Sequence, residues 1–338
     1  MKVTTIGIDI GKRTFHLLAH DASGRECWRR QVKRAQLLRT LAQLPPAQMV
    51  MESCSGAQHW AREAMKLGHA ARLLSPQHTR AYAQGNKNDF NDAEAILEAA
   101  SRPRTRAVLL KSIEQQDIQA LHRVRQGYIK SRTALINQWR GLLAEYGVVM
   151  PAGVNAFRRL APALLADADN VASPLCRQLL ESQLIWLRTL DRRIAEVEAQ
   201  LKSIERVDAR ARLLSRELPG IGTLTATALI AAIGAGGAFR RGRDLSAWLG
   251  LVPGQHSTGG KPKLLGISKR GDTYLRTLFI HGARTVVHHA VRKDDAFSAW
   301  INRLRARRGM NVAIVAVANK NARRAWALLH KQALGQAA

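Results

Sequence analysis

The sequence predicts an α/β domain at the N-terminus joined to a mostly helical remainder. Three observations carry the prediction. Residues 1–104 alternate short β-rich runs with helical stretches. Residues 105–218 carry apolar residues at three- and four-residue spacing over two long segments. Residues 219–338 are helical sequence punctuated by glycines and basic loops. A chain of 338 residues has room for two or three domains with a real core, and 46% hydrophobic content is that of a globular protein.

In the first segment KVTTIGIDIG is a β-rich run ending in glycine, RTFHLLAHD is a second, and the turn ASG leads to a third, RECWRRQV. Short turns between three strands make an antiparallel meander. RAQLLRTLAQL reads as a helix stopped by Pro45 and Pro46. QMVMES is a short apolar strand with Glu52 at its end. Residues 58–67 are helical, 71–74 form another strand and 89–100 another helix. The order β-β-β-α-β-α-β-α is that of a ribonuclease-H-like domain.

In the second segment Leu121, Tyr128, Leu135 and Leu142 fall seven apart, with Arg125, Arg132, Trp139 and Tyr146 at the other seam position. Leu187, Leu190, Ile194, Val197, Leu201 and Ile204 alternate by three and four. This is a coiled-coil pattern, and it fits either a helical hairpin within the chain or a seam between subunits. Residues 151–170, rich in Pro and Gly punctuation, read as a helical turn between the two.

The third segment opens on LPGIGTLTATALIAAIG, a helix-hairpin-helix pattern in which Gly220 and Gly222 let backbone approach a phosphate at a helix N-terminus. A basic loop region containing GQHSTGGKPK and GISKRG follows, and the chain closes on Arg-studded helices.

Charge narrows the function. The chain has 53 Lys and Arg against 25 Asp and Glu, a net +28. That excess expects a polyanionic partner, nucleic acid ahead of a membrane surface, because no run of about 20 apolar residues spans a bilayer. Residues 219–338 alone hold 19 bases and 4 acids. The N-terminus lacks signal-peptide architecture, and Cys27, Cys54 and Cys176 form neither a disulfide framework nor a CxxC motif. A cytoplasmic protein without structural zinc is expected.

Against that background the few N-terminal acids stand out. Asp9 lies inside an apolar strand, where an acid is costly unless paired or bound to metal. Glu52 ends a second strand, and Asp89 and Asp92 share one face at a helix start. Converging carboxylates would hold hard divalent cations of the kind that catalyse phosphoryl transfer. Helix capping alone accounts equally for Asp89 or Asp92, and a surface charge for Glu52. GIDIG also opens sugar-kinase-like ATPases.

The motifs GIDIGKRTFHLLAHD, MESCSGAQHWA and KNDFNDAEAI resemble the N-terminal domain of the DEDD-type insertion-sequence transposases, which include bridge-RNA-guided and pilin-gene-inverting recombinases. PGIGTLTATALIAAIG, AWLGLVPGQHSTGGK and GISKRGDTYLRTLFIHGAR resemble that family's C-terminal domain. The resemblance implies a RuvC-like metal-dependent domain over 1–104, a helical coiled-coil assembly domain over 105–218 and a transposase domain over 219–338. It implies that Asp9, Glu52, Asp89 and Asp92 hold Mg2+ or Mn2+, with Asn88 where Thr often precedes the first Asp of the pair. It implies a serine nucleophile in the Ser-Gly-rich motif. Ser257 fits, with Thr258 and Ser268 as alternatives; a plain loop hydrogen bond is the competing role for Ser257. Lys261 and Lys263 stand near it in sequence to steady phosphate charge. His256 points elsewhere if the backbone is extended. The implied partners are donor and target double-stranded DNA, a noncoding bridge RNA and further copies of the chain as a dimer or tetramer.

Arg240, Arg241 and Arg243 form one basic cluster, Lys261, Lys263, Lys269 and Arg270 a second, and Arg303, Arg305, Arg307 and Arg308 a third. In a segment with four acids they are expected to contact phosphates and to carry little sequence information. Two other readings are a RuvC-like junction endonuclease that forms no covalent intermediate and a basic architectural protein.

Overall fold

A computed structural model describes residues 2–86, 88–167 and 172–337. The chain divides into two compact units, residues 1–112 and 113–338, so the helical middle and the C-terminal segment fall in one unit where the sequence suggested two domains.

The first unit is built on strands β1 (Thr5–Ile10), β2 (Thr14–His20) and β3 (Glu26–Lys33), helix α1 (Leu37–Ala42), β4 (Gln48–Glu52), α2 (Ala57–Lys66), β5 (Ala70–Leu74), the single turn α3 (Pro76–Thr79), α4 (Asp89–Ser101) and the two-residue β6 (Ala107–Val108). The sheet order is β3-β2-β1-β4-β5-β6. The meander β1–β2–β3 is antiparallel as expected, β1, β4 and β5 run parallel, and β6 returns antiparallel to β5. The α3 turn and β6 were not legible in the sequence; each is too short to show a period.

Alternation along the strands sends Ile6, Ile8, Phe15, Leu17, Met49, Met51 and Leu73 to one face, where they form a core with α1 and α2. The other face carries Leu18 and Val50, covered by Ala93, Ile96 and Leu97 of α4. Gly7 fixes the distance between α4 and the sheet. A Cβ there would stand 2.7 Å from both the Ala93 carbonyl oxygen and Leu97 Cγ, so only glycine admits the helix this close.

The second unit begins with α5 (Ile113–Glu145), α6 (Val154–Ala166) and α7 (Pro174–Val207). Residues 168–170 of the expected turn region lie outside the described residues. α5 and α7 are antiparallel, since Arg125 pairs with Glu198 at 2.7 Å and Arg132 with Asp191 at 3.0 Å. Leu187, Leu190, Ile194, Val197 and Leu201 are buried within the single chain. Within the chain the heptad seam is thus packed as a helical hairpin. Leu142 and Tyr146 depart from the heptad: they are 44% and 37% exposed, while Ile136 and Leu143 are buried instead.

α8 (Ala209–Glu217) and α9 (Thr223–Ile233) form the expected helix pair around Pro219–Gly222. His122 of α5 is buried against it, its ring nitrogens 3.0 Å from Thr227 Oγ1 and 2.9 Å from Tyr274 Oη. α10 (Gly242–Trp248), strands β7 (Pro253–Thr258) and β8 (Lys261–Ile267), α11 (Thr273–His289), α12 (Ala296–Arg308) and α13 (Met310–Ala337) complete the chain. The basic stretch read as a loop is thus a β-hairpin. Its two-residue turn is Gly259–Gly260, both at positive φ, as tight hairpin turns require.

Gly220 is explained by protein contact. It has φ +82°, and its Cβ would stand 2.6 Å from the Gly282 carbonyl oxygen; a Cβ on Gly282 would stand 1.8 Å from that of Gly220. Its backbone faces α11, a packing contact that by itself requires glycine here. Gly222 precedes α9 with open space around its Cβ position. Gly282→Ala is expected to cost about 1–3 kcal/mol in urea unfolding, the ordinary penalty of overpacking, and Gly222→Ala less than about 1 kcal/mol.

Candidate metal centre and nucleic-acid surfaces

Strand register assembles the centre. β1 and β4 are parallel and paired through Ile8 and Met51, so Asp9 and Glu52 follow one residue later on each strand, on the same face. They sit at the carboxyl ends of neighbouring parallel strands, where open α/β sheets bind ligands. Asp9 is directly opposite His16 of β2, whose side chain therefore shares that face. α4 lies on the same face and presents Asp89 and Asp92 from its first turn. Asn88 caps this helix, its side chain accepting a hydrogen bond from the Phe90 amide at 2.9 Å. The aspartates are therefore not spent as the cap.

The structure brings the four acids of the sequence pattern into one electrostatic cluster. Burial, then the charges of Asp92 and Asp89, push the Asp9 carboxyl up to about 6; His16 opposes the shift and Glu52 adds to it. Asp89 Oδ2 is 3.5 Å from His16 Nδ1, and a carboxylate oxygen of Asp9, His16 Nδ1 and a carboxylate oxygen of Asp89 lie within 4.8 Å of one another. Glu52 Oε2 accepts a 2.5 Å hydrogen bond from Thr79 Oγ1, which orients it. This donor set fits a divalent cation: it is oxygen-rich, its central carboxyl is held up by like charge, and a buried ring nitrogen at its edge makes no hydrogen bond. His16 and Thr79 were missed in the sequence. The signal for His16 was available, since it mirrors Asp9 across the first turn; Thr79 carried none.

Ser257, Thr258 and Ser268 are placed by the hairpin. Ser257 is exposed on β7 opposite Pro262, and Gln255 Nε2 donates to its Oγ at 2.7 Å. Gln255 and Leu264 share the Ser257 face. His256 pairs with Lys263 and Thr258 with Lys261, so these four occupy the opposite face. The extended backbone does turn His256 away from Ser257, and the same alternation puts Lys261 and Lys263, near the serine in sequence, on the opposite face of the hairpin. Ser268 lies beyond the strand, its amide donating to the Val252 carbonyl at 2.8 Å.

The hairpin base is fixed. Arg276, buried, donates from Nη1 to the carbonyls of Leu249 and Arg270 at 3.1 and 3.0 Å. Cβ atoms on Gly250 and Gly271 would meet backbone oxygens of Arg270 and Trp248 at 2.2 and 1.8 Å. Lys269 adopts φ +54°, rare outside glycine, in this loop. Lys269 and Arg270 thus extend from a rigid base.

Arg240, Arg241 and Arg243 are exposed. The last two line a groove of about 850 Å³ with Lys320, Arg323 and Arg324 of α13 and Trp300 of α12; no carboxylate is among its described lining residues. The α13 cations were missed because they lie dispersed along an Ala-rich helix. Arg303, Arg307 and Arg308 are exposed and Arg305 partly so. Among the described residues, no helix is long and apolar enough to cross a membrane.

The raised Asp9 carboxyl has a consequence for stability. Its folded-state pKa of about 6 exceeds the ordinary 3.8, so the folded state holds the proton more tightly and stability falls as pH rises between the two. Asp9→Asn is expected to raise the melting temperature in EDTA at pH 7–8 and to lose that advantage near pH 4, measured by thermal denaturation across pH.

Comparison with known proteins places this geometry. Residues 6–148 match a DEDD family of the IS110 type described as Transposase, and residues 211–299 match the family described as Transposase IS116/IS110/IS902. The chain is 48% identical over 334 residues to the "Probable family 20 transposase" of Pseudomonas aeruginosa, covering 98% of each chain. It is 46% identical over 330 residues to the transposase for insertion sequence element IS1111A of Coxiella burnetii, covering 98% of this chain and 90% of the relative. It is 41% identical over 325 residues to the transposase for insertion sequence element IS1328 of Yersinia enterocolitica, covering 96% of each. The acidic cluster and the basic C-terminal unit thus stand in a member of the IS110/IS116/IS902 transposase family, DNA-cutting and DNA-rejoining enzymes of insertion sequences.

Proposed function

We propose that the protein is a RuvC-like, metal-dependent recombinase that moves its insertion sequence through a covalent serine–DNA intermediate. The observation that carries the reading is the convergence of Asp9, Glu52, Asp89 and Asp92 on one end of the N-terminal sheet. The sheet order and strand directions, three antiparallel strands followed by parallel ones, support a ribonuclease-H-like core. In this reading residues 1–104 carry the metal site, 105–218 the helical hairpin and 219–338 the serine motif.

The four carboxylates hold Mg2+ or Mn2+, which when bound stabilises the charge on attacking and leaving oxygens in phosphoryl transfer. Thr79 keeps Glu52 turned into the cluster. Ser257 Oγ attacks the scissile phosphorus and forms a phosphodiester to the protein as the DNA P–O bond breaks, its proton passing on balance to the departing DNA oxygen, which leaves as a hydroxyl. Rejoining reverses the step with a DNA hydroxyl as nucleophile, so bond energy is conserved. Gln255, as an amide donor, orients the hydroxyl and does not take its proton.

Arg240, Arg241, Arg243, Lys261, Lys263, Lys269 and Arg270, with the groove cations, hold donor and target DNA through phosphates. Gly222, at the N-terminus of α9, lets backbone amides join them. Sequence choice is assigned to a bridge RNA, consistent with a surface rich in cations and a chain only 5% aromatic. One acidic cluster per chain and several strand cuts per event call for a dimer or tetramer. The helical seam is used internally, so assembly falls to other surfaces; Leu175, Leu179 and Trp186 of α7 are exposed apolar positions for it.

Two measurements test the reading. On a labelled target, wild type should leave a covalent adduct on denaturing gels that maps to Ser257. Ser257→Ala should bind DNA and form none. Asp9→Asn, Glu52→Gln, Asp89→Asn and Asp92→Asn should each abolish cleavage with the fold intact. Cleavage with no adduct on any residue favours the junction endonuclease, and an adduct on Thr258 moves the nucleophile to the lysine-bearing face. In binding assays log K should fall steeply with log salt. Alanine at Arg241, Arg243, Lys320 and Arg323 together should reduce that slope by about three to four, whatever the DNA sequence.

A further inference from the structure

We infer that His16 is a ligand of the cation held by the acidic cluster, through a nitrogen donor that makes the site prefer Mn2+ over Mg2+. The inference rests on the metal-site reading above and adds to it a residue outside the four-acid pattern.

The position is forced by the fold. His16 is the antiparallel partner of Asp9, so its side chain emerges beside that carboxylate, beneath the first turn of α4. It is 8% exposed. Its ring packs edge-on against Phe90, centroids 4.8 Å apart and planes at 77°, which holds the imidazole in one orientation.

In that orientation Nδ1 is buried and makes no hydrogen bond. Its contact with Asp89 Oδ2, 3.5 Å, is longer than an N–H···O hydrogen bond, which has its mode near 2.9–3.0 Å. Buried polar nitrogens are ordinarily satisfied, so the exception calls for a partner. The atoms around it are carboxylate oxygens of Asp9 and Asp89, all three groups lying within 4.8 Å of one another. Donor atoms about 2–2.2 Å from one cation stand at most about 4.4 Å apart, so a closure of a few tenths of an ångström brings all three to a common ion. A cation there satisfies Nδ1 and relieves the repulsion between the aspartates together. The ring proton then resides on Nε2, leaving the Nδ1 lone pair for the metal.

An imidazole changes which ion is favoured. Mg2+ is a hard ion that takes oxygen ligands and keeps its waters, whereas imidazole suits transition ions. An all-carboxylate cluster discriminates little between Mg2+ and Mn2+; one nitrogen donor shifts the balance to Mn2+.

The experiment is pulsed EPR on the full-length protein loaded with Mn2+, with calorimetric titration of Mn2+ and Mg2+. Wild type, His16→Asn and Asp9→Asn are compared. Wild-type Mn2+ is expected to show 14N hyperfine coupling that His16→Asn lacks. His16→Asn should lose about tenfold in Mn2+ affinity and less than about threefold in Mg2+ affinity. Bound Mn2+ without 14N coupling in wild type, coupling that persists in His16→Asn, or a parallel loss of both affinities overturns the role of His16 and leaves the acidic site standing. Absence of Mn2+ uptake by wild type, or equal uptake by Asp9→Asn, overturns the metal site itself. Should His16→Asn fail to fold, by circular dichroism, the wild-type spectrum alone decides.

Discussion

The contact on which the candidate metal centre depends is the approach of α4 to β1 at Gly7. With a side chain at that position the helix would have to lift from the sheet, because the Ala93 carbonyl and Leu97 occupy the space of a Cβ. Lifting it would carry Asp89 and Asp92 away from Asp9, two residues along the same face of the same strand. The repulsion among these carboxylates opposes the packing, as the raised Asp9 carboxyl records. Burial of Ala93, Ile96 and Leu97 against Leu18 and Val50 must therefore outweigh it. The site is a strained electrostatic arrangement held by an apolar contact one helical turn away.

The second unit uses glycine in the same way. Gly220 meets Gly282 backbone to backbone, and Gly250 and Gly271 close the base of the β7–β8 hairpin with Arg276. In each case a missing Cβ allows two segments remote in sequence to touch. The turn at Gly259–Gly260 uses glycine for its dihedral freedom alone, with nothing near its Cβ positions. The hairpin consequently combines a fixed base with a tip that no neighbouring side chain holds.

Much of this was legible in the sequence. The strand meander, the parallel strands after it and the helix bearing Asp89 follow from period and punctuation, and an acid inside an apolar strand marked Asp9. Other features were not. Heptad spacing shows that Leu187 and Ile194 share a seam but not which chain supplies the partner; that depended on Arg125 and Arg132 finding Glu198 and Asp191. The strands of the hairpin are exposed on both faces and carry Leu264 and Leu265 side by side, so no alternation of hydrophobicity announced them. The packing of Gly220 on Gly282 was not legible because a glycine near a helix start fits a phosphate contact and a packing contact equally well in sequence. His16 escaped notice because a lone histidine on a strand stands out only when it is matched across the first turn to Asp9, a step the predicted meander allowed.

The hairpin register also narrows the chemistry available to its hydroxyls. Alternation puts Ser257 with Gln255 and Leu264 on one face and Thr258 with Lys261, Lys263 and His256 on the other. A phosphate drawn to the cationic face meets Thr258; one presented to Ser257 meets an amide donor and an apolar side chain, with no cation from the hairpin itself. In the proposed reaction, then, charge neutralisation at Ser257 has to come from outside the hairpin. Lysines on the reverse face are left free to hold backbone phosphates away from the reacting one. Under the proposed reaction, separation of a neutral face bearing Ser257 from a cationic face bearing Lys261 and Lys263 assigns the lysines to affinity and not to the bond that breaks.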